Sequence, residues 1–506
     1  MWFELTPSFA LLLCIILFVL YSLLQFPSRH ALPPGPKPWP LIGNILDMPR
    51  KDESATFSQW GRTYGDIVYV RLLRRPLIIL NSFEAATELM ERRYTIYSDR
   101  PEFPMMNLIG HQWNLGFKPF GDEWATLRKL FTSKFSNGSA LRAYQASQTA
   151  SNAELLQSLL KDPNGFVEHI ALRATQVVID VTYGISVTSP NDHLIVVAER
   201  VMNAVSIALS PPLWIINPVS LVRSFMSLFG GLNSISIIRK WRSDLEELRN
   251  GPFEEAKLQL TKGHPRPSVV GNLLQDLGEN GTQEAEELIR DCAAVAYGGA
   301  AETSTSSSLS FILAMVLNPS AMRKAQDELD RVVGNDRLPC FEDRPNLPYV
   351  TGMMKEVLRF HPPGVVGVPR QLKQDDEYKG YHIPAGSMVM VNIDGLMSDP
   401  SLYPEPEMFM PERYIVNGKF DCSRSTDPSR IAFGFGRRVC PGKLFAEDSL
   451  WIVIAQMLAV FTISPVDEKH PPPLSFEAGA ISRPSPFPCI IRPRSEAAKH
   501  LVESAL

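Results

Sequence analysis

One cysteine in this chain is surrounded by residues that favour its reactive form. Cys440 lies in the segment Phe433-Gly-Phe-Gly-Arg-Arg-Val-Cys-Pro-Gly442. Its glycines allow backbone angles that side chains block, and the neighbouring cations Arg437 and Arg438 favour thiolate over thiol. A thiolate on a rigid loop with backbone amides directed at sulfur is suited to ligating a transition metal. The alternative is a buried inert cysteine or an ordinary glycine turn. It is disfavoured because Phe, Gly and Arg all occur at set distances from this cysteine.

Two further motifs place polar groups at helix spacing. Glu356 and Arg359 are three residues apart, so they lie on one helix face and can pair; an exposed ion pair is the alternative. The segment Gly298-Gly-Ala-Ala-Glu-Thr-Ser304 interrupts an apolar stretch. A hydroxyl there can bond the carbonyl four residues back and loosen the helix locally. On its own, this segment would be a polar face inside a helix bundle.

The elements that must position these motifs are mostly helical. The spacing of apolar residues predicts one long buried helix over Thr282–Leu317, a helix over about Tyr349–His361 and a last helix over about Lys443–Phe461. Ile67–Leu73 and Pro76–Asn81 are predicted as short strands. Clustered prolines beyond Pro362 indicate an irregular meander. The predicted fold class is mainly α with small β-sheets (α+β).

The N-terminal region predicts a membrane anchor. No charged residue occurs in the 24 positions between Glu4 and Arg29, and a helix of that length reaches ~36 Å, enough to cross a bilayer. A cleaved secretory signal is the alternative, but its apolar region is shorter. We therefore expect a transmembrane signal anchor over residues 1–28, a proline-rich connector over 29–49 and one large domain over 50–506. Arg29, His30 and Lys37 after the span place that domain in the cytosol.

Composition excludes several classes of protein. Of the 506 residues, 45% are hydrophobic and 21% are charged, and the net charge is −4. These values exclude a disordered chain, a fibre and a multi-spanning membrane protein. The balanced charge also argues against nucleic acid as the main partner.

The cysteine segment resembles the cytochrome P450 family, the haem-thiolate monooxygenases. The family pattern is Phe-x-x-Gly-x-Arg-x-Cys-x-Gly, and every fixed position is met. The resemblance implies the P450 fold, with Cys440 as the axial ligand of the haem iron and Phe433 near the sulfur. It also implies contacts from Arg438 to a haem propionate.

Other motifs extend the resemblance along the chain. Trp124-Ala-Thr-Leu-Arg128 and Arg370 match the family's propionate-binding positions. Arg413, in Pro411-Glu-Arg-Tyr414, matches the residue that joins Glu356 and Arg359 in a buried structural network. In the long helix, Thr303 would position a proton-donating water and Glu302 would supply protons. Ala300 stands where the family usually has glycine.

The resemblance implies a monooxygenase that uses haem b, O2 and NADPH-derived electrons. NADPH-cytochrome P450 reductase is the expected electron donor and cytochrome b5 a second one, with Lys129, Lys134 and Lys443 as a basic docking patch. The enzyme is expected in the endoplasmic reticulum membrane as a single-pass protein. The alternatives are a haem-thiolate isomerase or dehydratase that does not need O2, and a non-catalytic haem sensor or carrier.

The resemblance also predicts the substrate pocket. The segments that line the substrate pocket in the family correspond here to Phe103–Phe120, Met202–Ile216, Ala293–Thr303, Gly364–Val368 and Ala478–Ile481. An apolar wall of this kind suits a lipophilic small molecule, and likeness to fungal members suggests a terpenoid or polyketide of secondary metabolism. The predicted wall side chains are Met105, Met106, Leu108, Trp113, Leu115, Val365, Val366, Val368 and Ile481.

Overall fold

Helices dominate the described part of the chain, which the computed structural model gives as residues 15–16, 31–49, 51–209, 231–263, 266–278 and 281–504. The strands form one four-stranded sheet and four two-stranded sheets, which confirms the class mainly α with small β-sheets. The helices are α1 (Glu53–Tyr64), α2 (Phe83–Thr87), α3 (Tyr94–Tyr97), α4 (Pro104–Ile109), α5 (Asp122–Phe135), α6 (Gly138–Lys161), α7 (Phe166–Tyr183), α8 (His193–Ala208), α9 (Gly231–Thr261), α10 (Val269–Leu277), α11 (Gln283–Leu317), α12 (Pro319–Val332), α13 (Pro348–Phe360), α14 (Ile393–Met397), α15 (Lys443–Val460) and α16 (Glu496–Glu503).

The largest sheet among the described residues has four strands. Its order is β1-β2-β6-β3, with β2 and β6 parallel and the other pairs antiparallel. The register Leu77↔Met388 buries both central strands. The strands are β1 (Ile67–Leu72), β2 (Arg75–Leu80), β3 (Arg370–Gln371), β4 (Asp376–Tyr378), β5 (Tyr381–Ile383), β6 (Met388–Val391), β7 (Ile415–Val416), β8 (Lys419–Phe420), β9 (Phe461–Ser464), β10 (Phe476–Glu477), β11 (Arg483–Pro484) and β12 (Ile490–Pro493).

The long helix α11 is the central element. Thr282 caps it by accepting a hydrogen bond from the N–H of Ala285 at 3.3 Å, and Glu284 and Glu286 lie in its first turn, where the helix dipole favours acids. It packs against α5, α7, α13 and α15. Its C-terminal half is buried on nearly every side, so the helix is fixed firmly on both sides of Gly298 and Gly299.

Two further helices, α13 and α15, carry the remaining motifs. Pro348 is the first residue of α13, where its fixed φ suits a helix start. Most of α13 is buried. Helix α15 begins at Lys443, directly after the cysteine segment, and is buried on most sides. α13 and α15 pack on each other and on α11, so the fold brings the charged pair, the cysteine and the polar helix segment together.

The predicted anchor cannot be compared with the structure. Residues 1–28 lie outside the described residues, apart from Ile15 and Ile16. Among the residues that are described, no helix is both long and apolar enough to span a membrane.

Candidate active site

The cysteine segment folds as a tight loop that requires glycine. Gly436 has a φ of 54°, and a Cβ at this position would lie 2.1 Å from the carbonyl oxygen of Met90. The N–H of Cys440 donates to the carbonyl of Phe433 at 2.8 Å and closes the loop. The loop therefore holds Cys440 in a fixed position at the start of α15.

Cys440 faces an internal space between the loop and α11. Two adjoining cavities, of about 300 and about 630 Å³, both have Cys440, Pro441, Gly299 and Thr303 in their walls. At Gly298 and Gly299 an added Cβ would meet no atom within 4 Å. Glycine in a helix interior costs about 1 kcal/mol relative to alanine, and here the two glycines leave room on the face of α11 that looks toward the cysteine.

Opposing influences act on the thiol of Cys440. Burial raises its pKa, whereas the backbone N–H of Gly442 and the charges of Arg128 and Lys443 lower it. The net effect raises the pKa of this thiol, although its side chain is exposed to the internal space, so a metal ion that binds here must displace the proton, since metal binding requires the thiolate.

Arginines line the larger cavity. Arg128, on α5, is partly buried and makes no hydrogen bond or ion pair with any residue that the structure describes. Arg438 donates to the carbonyls of Ser98 and Lys118, both at 2.8 Å, and its guanidinium lies 4.7 Å from the ring centroid of Trp124. Buried cations need negative partners, so this end of the cavity suits the carboxylates of a bound molecule.

Arg100 belongs to the same wall and was not predicted from the sequence. It donates to the carbonyls of Gly116, Val368 and Pro369, each at 2.7 Å, and burial holds its pKa well below the usual value. No sequence pattern distinguishes this arginine from a surface one, since its burial depends on loops distant in the chain.

Arg370 lies behind the wall and not in it. Its guanidinium donates to the carbonyls of Met90 and Phe435, and it is absent from the walls of both cavities. Through Phe435 it contacts the cysteine loop directly. The structure therefore places the predicted propionate-binding arginine where it braces the loop.

The polar segment of α11 has the predicted local geometry. Thr303 donates from Oγ1 to the carbonyl of Gly299 at 2.8 Å and lines both cavities. Glu302 points elsewhere and lines neither cavity. Burial raises the pKa of Glu302, as does the charge of Glu199, while Arg483 lowers it. A carboxyl in this environment keeps its proton closer to neutral pH.

Glu356, Arg359 and Arg413 form a buried network, with exposures of 0%, 2% and 6%. Arg359 donates to both carboxylate oxygens of Glu356, at 2.7 and 2.9 Å, and Arg413 donates to one of them at 3.3 Å. The N–H of Met410 and the hydroxyl of Tyr414 also donate to this carboxylate. The alternative of an exposed ion pair is therefore wrong.

A second buried cation, which the sequence analysis missed, joins both flanks of the cysteine loop to α13. Lys355 is 6% exposed. Its ammonium donates to Ser429 at 2.7 Å, before the loop, and to Glu447 at 2.8 Å, after it, and contacts Asp427 at 3.0 Å. Nothing in the sequence separates this lysine from a solvated one, so only the packing identifies it.

Some of the residues predicted for the substrate pocket line the larger cavity, and others line neither cavity. Trp113, Leu115, Val366, Val368 and Ile481 line the larger cavity. Three predicted side chains on α4 instead pack in or against a hydrophobic core cluster, and they and Val365 are absent from both cavity walls. Those three residues are Met105, Met106 and Leu108.

The chain matches the family model described as Cytochrome P450 over residues 33–490. It is 36% identical over 508 residues to a cytochrome P450 monooxygenase of Armillaria gallica, covering 98% of this chain and 99% of that protein. It is 37% identical over 498 residues to cytochrome P450 monooxygenase 208 of Postia placenta, covering 97% and 96%.

These matches span nearly the whole chain. The protein belongs to the cytochrome P450 family. Its activity class is that of a cytochrome P450 monooxygenase, and the family implies haem iron, O2 and a supply of reducing equivalents. The residues around the cavities fit such a group, because a thiol faces the space from one side and arginines suited to carboxylates line it.

Proposed function

We propose that this protein is a haem-thiolate monooxygenase that oxidises a lipophilic small molecule, with haem b held between Cys440 and α11. The observation that carries the proposal is that Cys440 and Thr303 share the walls of the same two cavities. The haem supplies the oxidation chemistry when it is bound, and the side chains around it determine what it can do.

Each predicted residue has a role in this proposal. Cys440 ligates the iron, and Phe433 packs beside it in the wall of the smaller cavity. Trp124, Arg128 and Arg438 bind the haem carboxylates, with Arg370 supporting the loop from behind. Glu356, Arg359 and Arg413 hold the meander that carries the loop.

Protons would reach the cavity through α11. Thr303 holds its hydroxyl at the carbonyl of Gly299, where it can orient a water molecule. Glu302, whose pKa is raised by burial, would feed protons from solvent toward that water. An isomerase or dehydratase that does not use O2 needs no such relay, so the pair favours the monooxygenase.

Electrons would come from an NADPH-cytochrome P450 reductase, with cytochrome b5 as a second donor. Lys129, Lys134 and Lys443 lie on α5 and at the start of α15, the two helices next to the cysteine loop. We propose that the uncharged N-terminal stretch anchors the enzyme in the endoplasmic reticulum membrane, where the reductase would share the same surface.

The substrate would be a terpenoid or polyketide of fungal secondary metabolism. The wall of the larger cavity is mostly apolar, which suits a hydrophobic scaffold, and the two relatives named above are fungal.

Isotope labelling tests the proposed reaction. The full chain, reconstituted in vesicles with the reductase and NADPH, is incubated with a lipophilic extract under ¹⁸O2. We expect products that carry the label and that disappear when NADPH or reductase is omitted. Unlabelled product formed equally well without either would instead support the isomerase or dehydratase.

A further inference from the structure

One buried cation in the wall of the smaller cavity has no acidic partner. Arg173, on α7, is 2% exposed. Its guanidinium donates to Oδ1 of Asn152 on α6 and to the hydroxyl of Ser449 on α15, both at 2.7 Å, and to the carbonyl of Ser449 at 3.4 Å. These acceptors are neutral, and Arg173 makes no ion pair with any residue that the structure describes. Three helices therefore hold one full positive charge in the interior.

Acids on the same helices are bound to other groups. Glu154, on α6, is exposed and accepts from the side-chain amide of Gln176 at 2.7 Å. Glu447, on α15, accepts from the ammonium of Lys355 at 2.8 Å. Burial lowers the pKa of Arg173 only to about 9, so its side chain stays charged at neutral pH. A buried charge without a counter-charge is costly to keep, which points to a role for the charge itself.

The same cavity wall holds Arg173 and the metal-binding cysteine. Arg173, Ser449, Cys440 and Thr303 all line the smaller cavity, of about 300 Å³. Ser449 lies six residues after Lys443, the first residue of α15, which is ~9 Å along a helix. The guanidinium bound to Ser449 is therefore on the order of 10 Å from the loop that carries the cysteine. Most of the remaining wall is apolar, so little in it screens the charge.

We propose that Arg173 raises the reduction potential of the haem bound at Cys440 and so favours its reduction by the redox partner. This inference rests on the proposed function and deepens it. Reduction transfers one electron from the partner to the iron and adds one negative charge to the haem-thiolate unit. A fixed positive charge in a low-dielectric interior therefore stabilises the reduced form more than the oxidised form. At an effective dielectric constant of ~20, two unit charges ~10 Å apart shift an equilibrium by about tenfold.

A redox titration of the full-length, substrate-free holoenzyme measures this effect. Arg173→Gln removes the charge and should make reduction about tenfold less favourable, which lowers a one-electron potential by ~59 mV. Arg173→Lys keeps the charge and should stay near the wild-type potential. Lys161→Gln removes an exposed charge from α6, where water and salt screen it, and should match the wild type.

A second pair of variants changes the charge without removing Arg173. Ser449→Asp places a carboxylate beside the guanidinium, so it should lower the potential about as much as Arg173→Gln does. Ser449→Asn has nearly the same size and shape without the charge and should stay near the wild-type potential. Because the two substitutions are matched in volume, this pair decides the question on its own if Arg173→Gln fails to bind haem.

The outcomes separate this inference from the proposed function. An unchanged potential in Arg173→Gln, or equal potentials in Ser449→Asp and Ser449→Asn, would overturn the role of Arg173. A drop in Arg173→Lys as large as that in Arg173→Gln would also overturn it, since lost packing and not lost charge would then be the cause. Absence of the thiolate-type haem spectrum in the wild type would instead overturn the proposed function.

Discussion

Polar side chains on the two sides of Cys440 differ in whether they have hydrogen-bond partners. Behind the loop, the carboxylate of Glu356 accepts bonds from Arg359, Arg413 and two further donors. In front of it, Arg128, in the wall of the larger cavity, has no hydrogen bond or ion pair with the described residues. Buried charges that are fully paired fix a geometry, whereas unpaired polar groups are maintained where a ligand completes them. The comparison separates the residues that position the site from those that bind.

Removing the carboxylate from the buried network behind the loop should have the largest effect on stability and haem content. Glu356→Gln leaves two buried arginines without their carboxylate, and removal of one partner from a buried ion pair costs about 3–5 kcal/mol. We expect the yield of haem-containing protein to fall severely and the free energy of unfolding to drop by that amount. Denaturant unfolding and haem content measure both.

Glu407→Gln is the matched control for this variant, since Glu407 is exposed on the same meander. If Glu356→Gln folds and binds haem as well as this control does, the network is not what holds the loop.

Lys355→Met should have a smaller effect on the same side. It leaves Glu447 buried without its cation, but Asp427 keeps 29% of its side chain exposed and can be solvated. We expect part of the protein to lose thiolate ligation, seen as a carbon-monoxide band at shorter wavelength. The double variant Lys355→Met/Glu447→Gln removes the uncompensated charge and should recover part of the loss. No recovery would show that the ammonium does not act through Glu447.

On the side of Cys440 that faces the cavities, Arg128→Gln should weaken haem binding without unfolding the protein. A hydrogen bond to a charged group contributes about 1.5–3 kcal/mol, so haem should transfer to a scavenger protein at least about tenfold faster. Arg142→Gln, at an exposed position on α6, is the control. Equal rates in the two variants would remove Arg128 from the haem site.

Glu302→Gln should have the smallest effect on stability, and the size of that effect depends on pH. The pKa of Glu302 is raised above the ordinary 4.5, so the folded state holds this proton more tightly than the unfolded chain does. Below the ordinary pKa both states are protonated, and the wild type should match the variant. As pH rises through the raised pKa, the wild type loses stability relative to Glu302→Gln. Tm measured against pH tests this, and a difference that does not change with pH would contradict it.

The sequence predicted the parts of the fold that depend on local pattern. The long helix was expected over Thr282–Leu317 and is Gln283–Leu317, and the last helix was expected over Lys443–Phe461 and is Lys443–Val460. Helix α9 departs from the rule that proline ends helices, since Pro252 lies inside it. The spacing of apolar residues and the capping residues determine helix position over a few turns, so these features can be predicted from the local sequence.

The parts that failed depend on contacts between distant segments. The apolar character of Met105 and Met106 is the same in a cavity wall and in the core, so pattern could not separate the two. His111 and Lys355 are buried and Arg100 is partly buried, and in each case the burial arises only when remote elements meet around the side chain. A residue of this kind has no signature in its neighbours along the sequence.

The central claim is that Cys440 is the thiolate ligand of a haem in this cavity. The most direct measurement is the carbon-monoxide difference spectrum of the reduced, full-length protein. We predict a band near ~450 nm in the wild type, which thiolate ligation produces, and its loss in Cys440→Ala. Haem bound without that band in the wild type, or the same band in Cys440→Ala, would contradict the account.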